Sequence, residues 1–288
     1  LIFKLVMVNV ELRNYKATVM PYLQLSKCVQ VVNPIIDNGR IISASYVEIY
    51  LNSIDLDVIN MQYKSERHIC TDVEFALKGY LPRWFTDLAY KYFYDKTTLK
   101  GKDKVKYALA KAKLNSLYGM CVQKPVRDLL EEDFTTGEYV IKERDERDEY
   151  NKAVKRKGSI LPYAWGVICT SISARNLFLL GSCVDTQNGG IWAYSDTDSV
   201  FATKWNKTKL EYYNQRCLDL LRANGYDSVG YEGSTYCLGT AVSEVEDIFT
   251  EFRTLGAKRY SCRKECDGEL KITVAGVPKK TGALCLEN

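Results

Sequence analysis

The sequence predicts an α+β fold, antiparallel strands with helices packed on one face, and three observations point there. Strand-like and helical runs follow one another as strand, helical pair, helix, hairpin, helix, hairpin, not as the strict alternation of βαβ units. The turn pairs Asn38-Gly39, Gly189-Gly190 and Asp267-Gly268 separate runs of apolar and β-branched residues. The chain can fill a core: of 288 residues 46% are hydrophobic, 12% aromatic and 26% charged, with 21 tyrosines, which excludes disorder as its main state.

In order, residues 1–24 are rich in β-branched residues and alternate, Val6, Val8 and Val10 against Met7, Asn9 and Glu11, as a strand or hairpin would. Residues 25–80 hold a Pro-containing loop, the Asn38-Gly39 turn, strand-like runs at 41–51 and 68–75, and a short helix at about 55–63, the pattern of a small α+β insertion. From Pro82 to Gly119 the signal is helical, a pair of helices with Asp95 or Thr97 and Thr98 near the break and Gly101 as hinge. Residues 121–160 are highly charged around a Thr135-Thr136-Gly137 turn, an exposed excursion. A helix over 165–181 follows, then a hairpin over 191–205 turning at Asp196-Thr197-Asp198, a helix over 207–224, and strands at 258–265 and 270–275 joined by the Asp267-Gly268 turn. No internal repeat is present.

No run approaches the roughly 18–20 apolar residues of a membrane span. The chain opens on Leu1 with no initiator Met and no basic stretch before a small-residue cleavage site, so it reads as an excised, cytoplasmic and unsecreted piece of a longer chain. Ten scattered cysteines in a chain of this length read as reduced thiols. Structural zinc is disfavoured, because only Cys262 and Cys266 lie near each other and His68 is far off in sequence. The net charge of +4 is modest, but Lys96, Lys100, Lys102, Lys104, Lys106, Lys111 and Lys113 face one acid, Asp103, in an 18-residue stretch.

Three constellations carry chemistry. In Tyr194-Ser195-Asp196-Thr197-Asp198-Ser199 an extended chain would point Asp196 and Asp198 the same way, and two such carboxylates are either a solvated acidic turn or a cation site completed by water and phosphates. In Lys111–Gly119 a helix places Lys111, Asn115 and Tyr118 on one face, with Gly119 ending it; cation, amide and ring suit a nucleotide, and an ordinary amphipathic helix is the other reading. In Lys258-Arg259-Tyr260 a strand would put Lys258 and Tyr260 on one face, suited to a nucleic-acid backbone or equally to a half-buried Tyr beside surface charge.

Together and in this order, K-x-x-x-N-S-x-Y-G, Y-x-D-T-D-S and K-x-Y resemble the family B DNA polymerases. Residues 46–60, Lys96-Thr97-Thr98, 165–175 and the K-x-Y hairpin running on to Gly276 are similar to the protein-primed subgroup of phages and linear plasmids, so that the resemblance spans nearly the whole chain. It implies an antiparallel palm sheet with packed helices, a helical-hairpin fingers element and small α/β insertions. The divisions it implies are palm strands at 1–24, a terminal-protein-region-like insertion at 25–80, fingers at 81–120, a second insertion at 121–160, the palm catalytic segment at 161–280 and the start of a thumb at 281–288. The upstream exonuclease and the D-x-x-S-L-Y-P strand of that family have no counterpart here, so the chain is expected to be a C-terminal-half fragment that does not polymerise by itself.

What the resemblance implies chemically is addition of a dNTP to a primer 3′-hydroxyl by two Mg²⁺ ions, with Mn²⁺ as a substitute. It makes Asp198 a direct metal ligand and Asp196 a supporting carboxylate. Lys111 and Lys96 would neutralise the triphosphate, Asn115 and Tyr118 with their neighbours Ser116 and Gly119 would line the nucleotide, and Lys258, Tyr260 and Thr197 would hold the primer and DNA. The implied partners are primer-template DNA, dNTP and a terminal protein, and no membrane. Two other classes remain open: a non-catalytic nucleic-acid-binding module, and a D-x-D metal-dependent glycosyltransferase, which leaves the other two motifs unexplained.

Overall fold

Alternation builds the first sheet. Along β1 (Ile2–Leu12), Phe3, Leu5 and Met7 are buried and Lys4, Val6 and Val8 are half-buried. Asn9 then adopts a left-handed φ of 48°, and Val10 and Leu12 become the buried pair. The expected common face of Val6, Val8 and Val10 is thereby corrected, because a residue outside the β region resets the two-residue period. The protein is described by a computed structural model covering residues 1–13, 20–75, 79–123, 126, 128–142, 144–155, 163–242 and 248–277.

Residues Leu1–Tyr80 and Ser171–Asn288 form one unit, and Leu81–Thr170 a second. In the first, β2 (Cys28–Val32), β3 (Ile35–Asp37) and β4 (Arg40–Asn52) precede α1 (Ser53–Gln62), and β5 (Tyr63–Lys64) and β6 (Arg67–Glu74) follow it. Strand β4 pairs with β1 along its length, from Ile2 opposite Asn52 to Glu11 opposite Ser43, with β2 and β3 on its other edge and β5 and β6 on that of β1, all antiparallel. Leu5, Met7, Val47 and Ile59 are fully buried between sheet and helix, each contributing roughly 1.5–3 kcal/mol. Helix α1 starts where it does because Asn52 accepts from the amides of Ile54 and Asp55 while Asp55 accepts from that of Asn52, a reciprocal capping box.

The second unit holds α2 (Arg83–Leu99) and α3 (Lys104–Cys121), the hairpin β7 (Leu129–Asp133) and β8 (Glu138–Lys142), the short α4 (Glu146–Lys155) and the first half of α5 (Tyr163–Gly181). The helical pair breaks at residues 100–103, where Gly101 takes φ 82°. The break is not at Asp95, Thr97 or Thr98: these lie inside α2, where the threonine hydroxyls donate back to the carbonyls of Phe93 and Tyr94 at 2.9 and 3.0 Å. Helix α3 likewise runs past Gly119 to Cys121, correcting Gly119 as its end; this glycine lacks the positive φ of a terminating residue. The 121–160 excursion is exposed through β7 and β8.

The rest of the first unit comprises β9 (Trp192–Asp196), β10 (Ser199–Ala202), α6 (Lys207–Ala223), β11 (Val229–Tyr231), β12 (Ser234–Tyr236), β13 (Phe249–Thr254), β14 (Arg259–Lys264) and β15 (Leu270–Val274). The class is α+β with antiparallel sheets, as expected, but the described strands lie in five sheets of six, two, two, three and two strands. Hairpin β9–β10 packs on its neighbours through side chains in place of ladder bonds. Strands β11, β12 and β13 were not legible in the sequence. No helix among the described residues is long and apolar enough to cross a membrane. The described cysteines are free thiols, and residues 281–288, expected to open a thumb, lie outside the described residues.

Candidate functional site

Hairpin β9–β10 is held from both sides. A bulge makes this possible: Tyr194 faces Phe201 and Trp192 faces Ala202, so Ala193 is an extra residue on β9. The extra residue shifts the alternation and sends Trp192 and Tyr194 to different environments. Trp192 joins Val58, Phe178 and Val184 in a buried cluster, with Val200, Ala202 and Trp205 packed against it. Tyr194 and Phe201 instead meet Phe252 and Tyr260 of β13 and β14, with ring centroids 5.0–5.9 Å apart. Phe249 stacks on Phe201 at 5.9 Å.

At the tip, Thr197 adopts φ 55° and Asp198 N–H donates to the carbonyl of Asp196 at 2.7 Å. That carbonyl also accepts from Ser199 Oγ at 3.0 Å, and Thr197 Oγ1 donates to Asp196 Oδ1 at 3.0 Å. The expectation that strand alternation aligns Asp196 and Asp198 is corrected: Asp196 ends β9, and Asp198 sits in the turn beyond a left-handed residue. A β-branched residue at positive φ stores strain of about 1–3 kcal/mol. Asp196 is half-buried and Asp198 exposed, and among the described residues no cation or hydrogen-bond donor engages the Asp198 carboxylate. Two hard oxygen donors of this kind fit a hard divalent cation whose other ligands are water and phosphate oxygens. Among the described residues no group of three His, Cys, Asp or Glu gathers to hold a metal.

The K-x-Y segment arrives on the same hairpin. Lys258 is in the turn before β14, with φ 55°, not on the strand, so the expected shared strand face with Tyr260 is corrected by this left-handed residue. Its backbone amide donates to Tyr194 Oη at 2.9 Å, while Tyr260 packs its ring on Tyr194. The first and third sequence constellations are therefore one structural object, with Thr197 at its tip.

The helical hairpin of the other unit carries the remaining site residues. Lys111, Asn115 and Tyr118 lie within about 60° of one another around α3 at about 100° per residue, and all three are exposed. The Tyr118 hydroxyl is 2.9 Å from Thr170 Oγ1, whose own proton goes to the Gly166 carbonyl, so Tyr118 is the donor. Ser116 Oγ donates to the Ala112 carbonyl at 2.8 Å, turning its hydroxyl onto the helix. Lys96 is half-buried in the last turn of α2, and Lys113 Nζ lies 5.7 Å from the Tyr92 ring centroid. Asp103 caps α3 by accepting from the amides of Val105 and Lys106, and these bonds, with the Lys106 ammonium, hold its carboxyl below the usual range.

Of the aromatic residues around this site, Trp192, Phe201, Phe249 and Phe252 were absent from the sequence reading. Phe249 and Phe252 are three apart, yet a bulge at Thr250 brings both to the cluster, and the Ala193 bulge separates Trp192 from Tyr194. Each bulge breaks the period-2 signal by which a strand face is recognised; the density of aromatics in 192–201 and 249–260 is what could have revealed them.

The fold so described is similar to that of Phi29 DNA polymerase. Its complex with primer-template DNA and incoming nucleotide substrates aligns with 98% of this chain and 44% of that one, at a TM-score of 0.52 and 16% identity. A post-translocation complex of the same polymerase with primer-template DNA gives a TM-score of 0.48 over 98% and 47% of the two chains, again at 16% identity. The chain thus spans less than half the length of that polymerase. No protein-family model and no curated protein sequence matches it.

Proposed function

We propose that the chain is part of a DNA-directed DNA polymerase of the protein-primed family B type, as phages encode, which adds a dNTP to a primer 3′-hydroxyl under template direction. One observation carries this reading: the K-x-Y segment is packed and hydrogen-bonded onto the Y-x-D-T-D-S hairpin, inside a fold similar to that of a polymerase. Asp198 would hold Mg²⁺, or Mn²⁺ in its place, with Asp196 as the supporting carboxylate. When bound, the metal supplies Lewis-acid stabilisation of the attacking and leaving oxygens. Lys258 and Tyr260, braced by Tyr194, would grip the primer terminus beside Thr197. On α3 and the end of α2, Lys111 and Lys96 would offset triphosphate charge. Asn115 and the Tyr118 ring would line the base pair, with Ser116 and Gly119 adding bulk-free surface beside them. A terminal protein is the proposed primer.

In a polymerase carrying this segment, Asp198→Asn is expected to cut single-turnover incorporation by about 10²–10³-fold, the scale of losing one key electrostatic group. Unchanged incorporation would overturn the assignment. A second reading, a non-catalytic nucleic-acid-binding module, is favoured by the lack of a third carboxylate near Asp196 and Asp198 among the described residues. It requires this chain to bind primer-template DNA with steep salt dependence and equally well with and without divalent metal.

A further inference from the structure

We infer that Trp192 is a positioning residue for the Asp196–Asp198 turn, acting through a hydrogen bond from its indole N–H to Ser195. This rests on the polymerase reading of that turn and adds to it a residue outside all three sequence constellations. Trp192 is 6% exposed, and its Nε1 donates to Ser195 Oγ at 2.6 Å, one residue before Asp196. In a regular strand residues three apart point to opposite faces; the bulge at Ala193 supplies the one-residue shift that lets Trp192 and Ser195 meet. The bulge and the hydrogen bond therefore define each other.

The ring itself cannot move freely. Phe178 meets it edge-on at 5.6 Å, and Tyr22 meets Phe178 at 5.2 Å. Tyr22 in turn donates to Asp55 at 2.6 Å, within the capping box of α1. On its other side the ring lies so close to Gly181 that a Cβ there would stand 2.2 Å from two ring atoms. An indole fixed this way turns its N–H into a fixed point. Ser195 is tied to that point, and Asp196 follows it directly in the chain. Beyond the tie lies the strained Thr197, a conformation that persists only where its surroundings over-determine it.

The test is Mn²⁺ affinity of the 288-residue chain, read by the electron paramagnetic resonance of free Mn²⁺ and independent of turnover. Trp192→Phe keeps the packed ring and removes the donor; Ser195→Ala removes the acceptor. Each is expected to weaken Mn²⁺ binding by about tenfold, the low end for groups that orient metal ligands, and the double variant by no more than either alone. Ile49→Val, in the core of the first sheet and outside the cluster around this ring, is expected to lower the unfolding midpoint and leave Mn²⁺ affinity intact. Wild-type Mn²⁺ affinity in both Trp192→Phe and Ser195→Ala overturns the inference alone. A chain with no Mn²⁺ site sensitive to Asp198→Asn overturns the metal reading of the turn, and this inference with it.

Discussion

Trp192 and Gly181 form the tightest residue-scale constraint around the candidate site. The ring lies where the Cβ of any other residue at 181 would be, so the C-terminal end of α5 and the start of β9 fit only with glycine there. Gly181→Ala is expected to destabilise by about 1–3 kcal/mol, the usual cost of forcing atoms into a filled core, as measured by denaturant unfolding. An unchanged midpoint would mean that the ring has a second seat. Thr197 and Lys258 are the complementary case, two non-glycine residues at φ 55° on segments that the Tyr194–Tyr260 contact joins. Their strain is concentrated where the proposed chemistry lies, as strain at functional sites commonly is.

At the scale of elements, one short hairpin is bound by side chains more than by sheet bonds. Hairpin β9–β10 pairs only with itself among the described strands, yet is sandwiched between the Phe178 cluster and the β13–β14 aromatics. Helix α3 presents Lys111, Asn115 and Tyr118 together because of its pitch alone. In a polymerase carrying this segment, Lys111→Ala is expected to raise the KM for dNTP about tenfold, the loss of one charge-assisted contact. DNA affinity should stay near its original value; equal weakening toward DNA in a filter-binding titration would assign Lys111 to the duplex instead.

Across the unit that contains the first sheet, stability depends on tyrosines whose hydroxyls are enclosed. Burial, then the bond to Asp55, pushes the Tyr22 phenol well above its usual range, and burial does the same for Tyr63; burial also pushes Tyr213 up to about 12. A raised folded pKa contributes stability that is complete below about pH 10, the unfolded value, and is lost as pH rises toward the folded one. Unfolding followed by circular dichroism is therefore expected to become easier above about pH 10. Tyr22→Phe should cost roughly 1–3 kcal/mol at neutral pH, for the bond to a carboxylate, and should flatten that alkaline decline. An alkaline slope unaltered by the substitution would remove Tyr22 from this account.

The sequence by itself determined the α+β class, the limits of α3, α5 and α6 to within a few residues, and the turns at Asn38-Gly39 and Asp267-Gly268. These follow from local rules: helical period, capping and turn chemistry act over at most a few residues. It also singled out Asp196, Asp198, Lys258 and Tyr260. Only the tertiary structure decided that these four belong to one object, that Lys258 lies in a turn, and that Trp192, Tyr194, Phe249 and Phe252 hold it. The physical reason lies in three departures from strand period, at Asn9, Ala193 and Thr250. A bulge or a left-handed residue is stable only where the packing around it compensates, and that packing comes from residues distant in the chain, here Tyr22, Phe178 and Tyr260.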